Sequence, residues 1–536
     1  VMFRRLVDGA WRDVTCAEFH RDVMGVAKAL IAAGINHGDR VALMSRTRYE
    51  WTVIDYAIWT IGGVTVPIFD TSSEEQVEWI LRDSGSTLAF VENDEHAERV
   101  RAVSAQLLEP DRIVQIESDS FPAFVATGAD VADSVVEERR AATGLDDLAT
   151  LIYTSGTTGR PKGCELTQRN LAFDVMSVNS GPMKDVFTME GRSTLLFLPL
   201  AHSLARIIQV GCVETKTVMG HFPSTGPDLL DALASFRPMF LLAVPRVFEK
   251  VYNKAEQKAI ASGKGDIFRK AAETAIAYSK ALDTGKVSLG LRLKRAVFSL
   301  LVYRKILAAV GGQAKYAVSG GSALGERLGH FFRGIGLTVL EGYGLTETSA
   351  PTTANAPDTN KIGTVGRPIP GTSIRIADDG EILVKGDNVM RGYWNNPKAT
   401  KERSPRRLVP QRRHRRTRRG RLPADHRAEE GDHRHRRREE RRPRGHRGPD
   451  PQPRDRQPVH GRRRQPQVRR RAHHHRPGSL RVLEEAAQQD RHHRRAGGRP
   501  RPAGHRAEGG GRRQQGGLPG RVGTEVRHPA GGLQRG

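Results

Sequence analysis

Tyr153-Thr154-Ser155-Gly156-Thr157-Thr158-Gly159-Arg160-Pro161-Lys162-Gly163 follows the apolar pair Leu151-Ile152, and the reading of this stretch governs the rest of the chain. Three glycines, four Ser/Thr hydroxyls and two cations fall within eleven residues. A strand emptying into such a loop presents backbone N–H groups with little steric cover. Glycines let that backbone curl round an anion, and the hydroxyls and Lys162 add donors. A phosphate chain is the guest that suits it; an ordinary Gly/Ser/Thr turn is the competing reading. It is not a Walker loop, because Gly163 stands after Lys162 where a Mg²⁺-binding hydroxyl would be.

Upstream, helical and strand patterns alternate. Phe19, Val23, Val26 and Leu30 recur at helical spacing with Gly34 as a stop. Val41–Met44 reads as a buried strand, Trp51–Ile61 as a helix, Val64–Ile68 as a strand. Thr71-Ser72-Ser73 caps a helix through Leu81, with Glu74 and Glu75 in its favourable first turn, and Leu88–Val91 is the next strand. This alternation predicts an α/β fold with parallel sheet. Residues 113–146 give weaker signals.

Downstream, Leu195–Leu200 reads as a strand ending in Ala201-His202-Ser203-Leu204-Ala205-Arg206, where a structural role for His202 competes with a functional one. Phe240–Val244 is another strand, and 251–307 reads as helices lying on the outside. Two glycine-rich turns follow apolar strand-like residues, at Ser319-Gly320-Gly321-Ser322 and at Glu341-Gly342-Tyr343-Gly344-Leu345-Thr346-Glu347. Both belong at strand ends, where open α/β sheets bind ligands. Tyr343 offers a ring for base stacking and Glu347 a hard oxygen of the kind Mg²⁺ accepts; a plain turn and a first-turn helix residue are the alternatives. Ile374–Ile376 and Glu381–Val384 flank Asp378-Asp379-Gly380 as a hairpin.

The 536 residues carry a net charge of +26, yet the basicity is confined to one end. Residues 403–536 hold 40 Arg, no Lys and 13 acidic residues, whereas 1–402 hold 46 basic and 47 acidic ones. The neutral body argues against a specific nucleic-acid partner. Three cysteines (Cys16, Cys164, Cys212) show neither metal-ligand spacing nor a disulfide framework, and no run reaches the roughly 20 apolar residues of a membrane helix. These features predict a cytoplasmic protein, and peripheral membrane contact is a further expectation.

In order and spacing, Tyr153–Gly163, Leu198–Arg206, Ser319–Ser322, Glu341–Glu347, Gly363–Pro368 and Met390-Arg391-Gly392-Tyr393-Trp394 resemble the motifs of the AMP-forming adenylate ligases. Within that family the chain is most similar to bacterial long-chain fatty acyl-CoA synthetases, over about 1–402. The resemblance implies a large adenylate-forming domain that joins a fatty acid to ATP as an acyl-adenylate, releases pyrophosphate and passes the acyl group to CoA. It implies that Thr154, Ser155, Gly156, Thr157, Thr158, Gly159 and Lys162 hold the β- and γ-phosphates, that Thr346 touches the α-phosphate, and that Glu347 holds Mg²⁺. Gly320, Gly321, Ser322, Glu341, Gly342, Tyr343 and Gly344 would surround the nucleotide, with Tyr343 against the adenine. His202 would border the acyl pocket. Arg206 matches in type without an evident role.

Where such ligases continue into a ribose-binding Asp, a hinge and a small lid with a catalytic lysine, this chain turns Arg-rich. Residues 403–536 contain no Lys, Ile, Phe, Tyr, Trp, Met, Asn or Cys, so they read as disordered, unable to offset chain entropy by apolar burial. They also read as a frameshift product. If codons start one base later, Asp425-His426 and Asp432-His433 encode only Ile or Thr, and Glu429-Glu430 and Glu439 only Lys or Arg. Residues 424–443 then accommodate the whole family hinge, and Leu408-Val409 admits Trp-Phe. The expectation is a shift near Glu402 that replaces the lid and impairs activity; Val1 reads as a clipped start. Two alternatives stay open: an ATP- or fatty-acid-binding remnant whose Arg-rich tail associates with nucleic acid or membrane, and a ligase for another carboxylic acid.

Overall fold

The computed structural model describes residues 1–154, 160–226 and 228–403. The readings placed on Ser155, Gly156, Thr157, Thr158 and Gly159, and on the block from residue 404 onward, lie outside the described residues.

Among the described residues a six-stranded sheet runs, edge to edge, through Ile113–Gln115, Leu88–Val91, Arg40–Met44, Val64–Ile68, Leu148–Thr154 and Lys162–Thr167. Its pairs are parallel except the last, where Thr154 faces Lys162 across an antiparallel ladder. The phosphate-type loop therefore joins two strands rather than a strand and a helix, a second departure from Walker geometry. A four-stranded sheet holds Ala10–Val14, Phe3–Val7, Val218–His221 and Ser193–Leu196. A third holds Phe240–Ala243, Tyr316–Ser319, Thr338–Leu345, Ala350–Ala354 and Arg367–Pro368. The expected hairpin is Ser373–Ile376 with Ile382–Lys385.

The helices form where caps and apolar faces coincide. Thr15 and Glu18 exchange capping-box bonds at the start of Cys16–Ala32, which buries Phe19, Val23, Val26 and Leu30; Gly34 follows at φ +76°. Ser73 caps Glu74–Ser84 in the same way. The weakly patterned region resolves into the strand Ile113–Gln115 and helices Ser120–Ala126 and Asp133–Ala142.

Three expectations are corrected. Glu341–Leu345 is not a turn: it continues the strand Thr338–Leu345, which pairs in parallel with Tyr316–Ser319 up to Glu341 and antiparallel with Ala350–Ala354 from Gly342, with a register shift at Tyr343/Gly344. Its glycines serve backbone approach, since a Cβ on Gly344 would lie 1.3 Å from the Ala350 carbonyl oxygen. The strand expected over Leu195–Leu200 ends at Leu196, three residues before Pro199. The helices of 251–307 do not all lie outside: Gly265–Asp283 buries Phe268, Ala271, Ala272 and Ala275 and packs closely on Glu326–Ile335, where Gly334 leaves no room for a Cβ against Ala275.

A buried polar cluster locks the helix Ser203–Glu214 to its neighbours. Arg206, 1 % exposed, donates to Asp55 Oδ1 at 2.6 Å and to Thr150 Oγ1 at 3.2 Å, between the rings of Trp51 and Trp59. Asp55 also accepts from Thr65 Oγ1 at 2.7 Å and Gln209 Nε2 at 3.1 Å. Burial pushes the Asp55 carboxyl up to about 6 against the pull of Arg206. The unexplained cation of the sequence is thus a structural tie.

Candidate functional site

A cavity of about 270 Å³ opens where the strands Tyr316–Ser319 and Thr338–Leu345 end beside the N-terminus of Ser203–Glu214. One part of its wall is polar and glycine-rich, with Gly320, Gly321, Gly342, Tyr343, Gly344, Thr346 and Glu347; His202 lines it too. The other part is apolar, formed by Val178, Met183, Phe187, Ile207 and Ile208. One concavity therefore offers a polar mouth and an oily depth, as a ligand with a charged head and a hydrocarbon tail requires.

His202 stands at the N-cap of Ser203–Glu214, its Nδ1 accepting from the Leu204 N–H at 3.2 Å. The residue is exposed at the mouth, yet the surrounding walls displace enough water to lower its pKa, so the ring is held neutral. The capping bond means that His202 has both roles weighed in the sequence, structural and cavity-facing. Ser319, to which the sequence pattern assigns no role, also lines the cavity; its Oγ is buried without a hydrogen-bond partner among the described residues. A buried hydroxyl without a partner costs free energy until a ligand satisfies it.

Lys162 and Thr154 are not in the cavity wall. They face each other at the ends of the paired strands that carry the loop. What joins them to the cavity is the segment Met390–Trp394, laid alongside Lys162–Thr167: Trp394 N–H donates to Gly163 O at 2.8 Å, Glu165 N–H to Gly392 O at 2.9 Å, and Met390 N–H to Glu347 O at 3.0 Å. Tyr393 is then placed with Lys162 Nζ 5.3 Å from its ring centroid and its hydroxyl donating to Glu347 Oε1 at 2.7 Å. One aromatic side chain thus spans the distance between the loop lysine and the candidate metal carboxylate. No local pattern singles out Tyr393 for this, because its partners are more than forty residues away in sequence.

Glu347 sits in the short turn Thr346–Thr348, directly after the strand end, with Oε1 held by Tyr393. A hard carboxylate fixed at a cavity wall is the kind of single protein ligand Mg²⁺ takes beside phosphate oxygens, so the donor present fits that ion. Two expected contributors lie elsewhere. Glu341 Oε1 accepts from the Leu324 N–H at 2.8 Å, and burial raises its pKa against that bond, so it braces the loop after Tyr316–Ser319. Ser322 is exposed and outside the cavity wall.

The family model described as AMP-binding enzyme matches residues 3–394. The chain is 49% identical over 405 residues to a protein from Mycobacterium tuberculosis named long-chain-fatty-acid–CoA ligase FadD15, covering 75% of this chain and 67% of that relative. It is 27% identical over 441 residues to long chain acyl-CoA synthetase 3 of Arabidopsis thaliana, covering 74% of this chain and 64% of that one. Among solved structures, ATP-bound MatB from Rhodopseudomonas palustris aligns with TM-score 0.59 at 23% identity over 76% of this chain and 72% of its own. The N-terminal domain of FACL13 from Mycobacterium tuberculosis aligns with TM-score 0.56 at 23% identity, over 76% and 90%. At those identities the structures show a shared fold.

Proposed function

The chain belongs to the AMP-binding enzyme family, and from that premise we propose that its described body is the adenylate-forming part of a long-chain fatty acid–CoA ligase. The reaction joins the fatty acid carboxylate to the α-phosphate of ATP, expels pyrophosphate, and then exchanges AMP for the thiol of CoA. The observation that carries this reading is the single cavity with a glycine-rich polar mouth and an apolar depth, in a chain 49% identical over 405 residues to a protein named as such a ligase.

On this reading Tyr343 lies against the adenine and Thr346 against the α-phosphate. Lys162, with Thr154 and the loop between them, neutralises the β- and γ-phosphates. In-line displacement at phosphorus needs positioning and charge neutralisation more than a protein nucleophile. Glu347 would hold Mg²⁺, which supplies charge neutralisation at the phosphates when bound. Tyr393 keeps Glu347 and Lys162 at fixed places before substrate arrives. Neutral His202 borders the acyl entrance without presenting a charge that would trap the carboxylate.

We further propose that adenylation is impaired, because the sequence after Glu402 reads as a shifted frame of the family hinge and lid, and closure of such a lid normally completes the site. Titration of full-length protein with Mg·ATP and a palmitate-dependent hydroxamate assay test both statements. Expected are measurable ATP binding, weakened about tenfold or more by Lys162→Met, and hydroxamate formation far below that of a relative with an intact lid. Undetectable ATP binding overturns the site; turnover equal to the relative's overturns the impairment.

A further inference from the structure

The helix Leu289–Phe298 and the π-helical turn Ser299–Tyr303 invert the usual arrangement of a surface helix. Leu289, Leu293, Val297, Leu300 and Leu301 are 83%, 68%, 48%, 62% and 53% exposed, and no residue of Leu289–Phe298 is buried. Their spacing puts them along one side of the helix. The side turned toward the body has its own contacts, with Phe298 and Val302 packed at the edge of the core. Arg295 donates to Gly334 O at 2.8 Å and stacks over Tyr278, and Phe298 packs beside Tyr303. Scattered single leucines on a surface are ordinary, but five large aliphatic side chains on one stripe are not.

The charge around the stripe is one-sided. Residues 284–325 contain no Asp or Glu and seven cations: Lys286, Arg292, Lys294, Arg295, Arg304, Lys305 and Lys315. Arg292 and Lys294 are exposed beside the leucines, and Arg304 and Lys305 are exposed at the end of the stripe. In a body whose first 402 residues are close to neutral taken together, this is a local basic field around an apolar strip.

We propose that this face docks on an anionic lipid bilayer, with Leu289, Leu293, Val297, Leu300 and Leu301 in the boundary between headgroups and acyl chains and the flanking cations at the phosphates. The chemistry is that of an interfacial amphipathic helix, in which buried apolar area and attraction to anionic lipid act together. Among the described residues no helix is long and apolar enough to cross a membrane, so the contact lies in the interface plane. A second copy of the chain is the weaker occupant, because a self-complementary contact would set the cations against their own copies with no carboxylate in the segment to answer them. Nucleic acid would meet the cations but leave the leucines in water. The proposal stands on this face alone and holds whichever acid the cavity takes.

The test uses full-length protein and vesicles of phosphatidylcholine alone or mixed equally with phosphatidylglycerol. The Arg-rich block beyond 403 is drawn to anionic vesicles by charge, so total binding is not the only readout. An environment-sensitive fluorophore is placed at Val297→Cys in a Cys16→Ser background, the other two cysteines being buried. A second probe at exposed Asp130→Cys serves as the control. The label at 297 is expected to shift blue and to be quenched by spin-labelled acyl chains on mixed vesicles, while the label at 130 stays wet. Leu293→Glu with Leu300→Glu is expected to lower vesicle affinity about tenfold or more at a salt concentration that screens the Arg-rich block. Arg292→Glu with Lys294→Glu keeps the leucines and is expected to lose the preference for phosphatidylglycerol. A label at 297 that stays wet on protein-loaded vesicles overturns the proposal. So does undiminished binding by the double-Glu variant, or burial of the 297 label by dimerisation without lipid.

Discussion

Arg206→Met tests the buried tie that places the cavity helix. Arg206 and Asp55 are 1% and 0% exposed, and the guanidinium donates to Asp55 Oδ1 at 2.6 Å between two tryptophan rings. Methionine fills much of the same volume, so the cost comes chiefly from leaving Asp55 without its cation. Removal of one partner of a buried pair costs about 3–5 kcal/mol, whereas replacement of both by apolar groups is often close to neutral. The single variant should therefore lose about 3–5 kcal/mol in a urea titration followed by tryptophan fluorescence, and Arg206→Met with Asp55→Leu should recover most of it. The deficit has a definite pH dependence. In the native protein Asp55 is held at about 6, above its unfolded value of 3.8, so this group's contribution to stability falls as pH rises between those values and levels off above about 6. Without Arg206 the carboxyl moves higher still and the fall continues to higher pH. The two proteins should then differ little near pH 5, where both carry the neutral acid, and most near pH 8. A single-variant deficit below about 1 kcal/mol near pH 8, a deficit independent of pH, or a double variant worse than the single near pH 8 would refute this account.

Other substitutions bear on separate parts of the molecule. Gly344→Ala would put a Cβ 1.3 Å from the Ala350 carbonyl oxygen, so the strand pair must part; a loss of more than about 4 kcal/mol, seen as a lowered melting temperature, is expected together with weaker ATP binding. Tyr393→Phe removes the 2.7 Å bond to Glu347 but keeps the ring beside Lys162, so calorimetry should show Mg·ATP affinity falling more than that of Mg-free ATP, by about 1 kcal/mol. Asp174 is fully buried on the helix Gln168–Ser180 with both oxygens unpartnered among the described residues, and burial raises its pKa well above 3.8. Asp174→Leu should stabilise by about 1–3 kcal/mol, with the gain growing as pH rises from about 4, because the unfolded carboxyl ionises there while the folded one does not.

The elements legible in the sequence were those whose pattern is local. Val64–Ile68, apolar but for Thr65, and the apolar run Leu88–Val91 are buried along their whole length, and the structure has them at the bounds the sequence suggested. Gly342 and Gly344 misled because glycine signals a turn and a close strand pairing equally well; the second was decided by Ala350–Ala354, a strand with no apolar alternation to announce it. The roles of Asp55 and Arg206 could not be read, since a charged residue in an amphipathic helix ordinarily faces water and the ion pair that buries these two closes across 151 positions. His202, Tyr343, Thr346 and Glu347 were recognisable because short motifs carry them, and the fold does gather all four on one cavity. Their assembly into a site depended on Tyr393, which motif reading quoted without a role.

That dependence separates gripping a nucleotide from acting on it. Lys162 and Glu347 are tied through Tyr393, and Tyr393 is placed by backbone bonds from Met390–Trp394 to Gly163, Glu165 and Glu347. All of these contacts are made before residue 402, after which we propose that the sequence runs in a shifted frame. Among the described residues these contacts therefore hold Lys162 and Glu347 in place by themselves, whereas on the proposed reading exclusion of water over the reacting phosphate and delivery of a lid lysine would have to come from the region after 402. A substitution at Tyr393 should accordingly alter binding of Mg·ATP in full-length protein even where turnover is already low, and a restored reading frame after 402 should raise turnover with little change in that binding. If repair of the frame tightened Mg·ATP binding as strongly as it raised turnover, the two halves would share the phosphate site, and the tie through Tyr393 would not be what organises it.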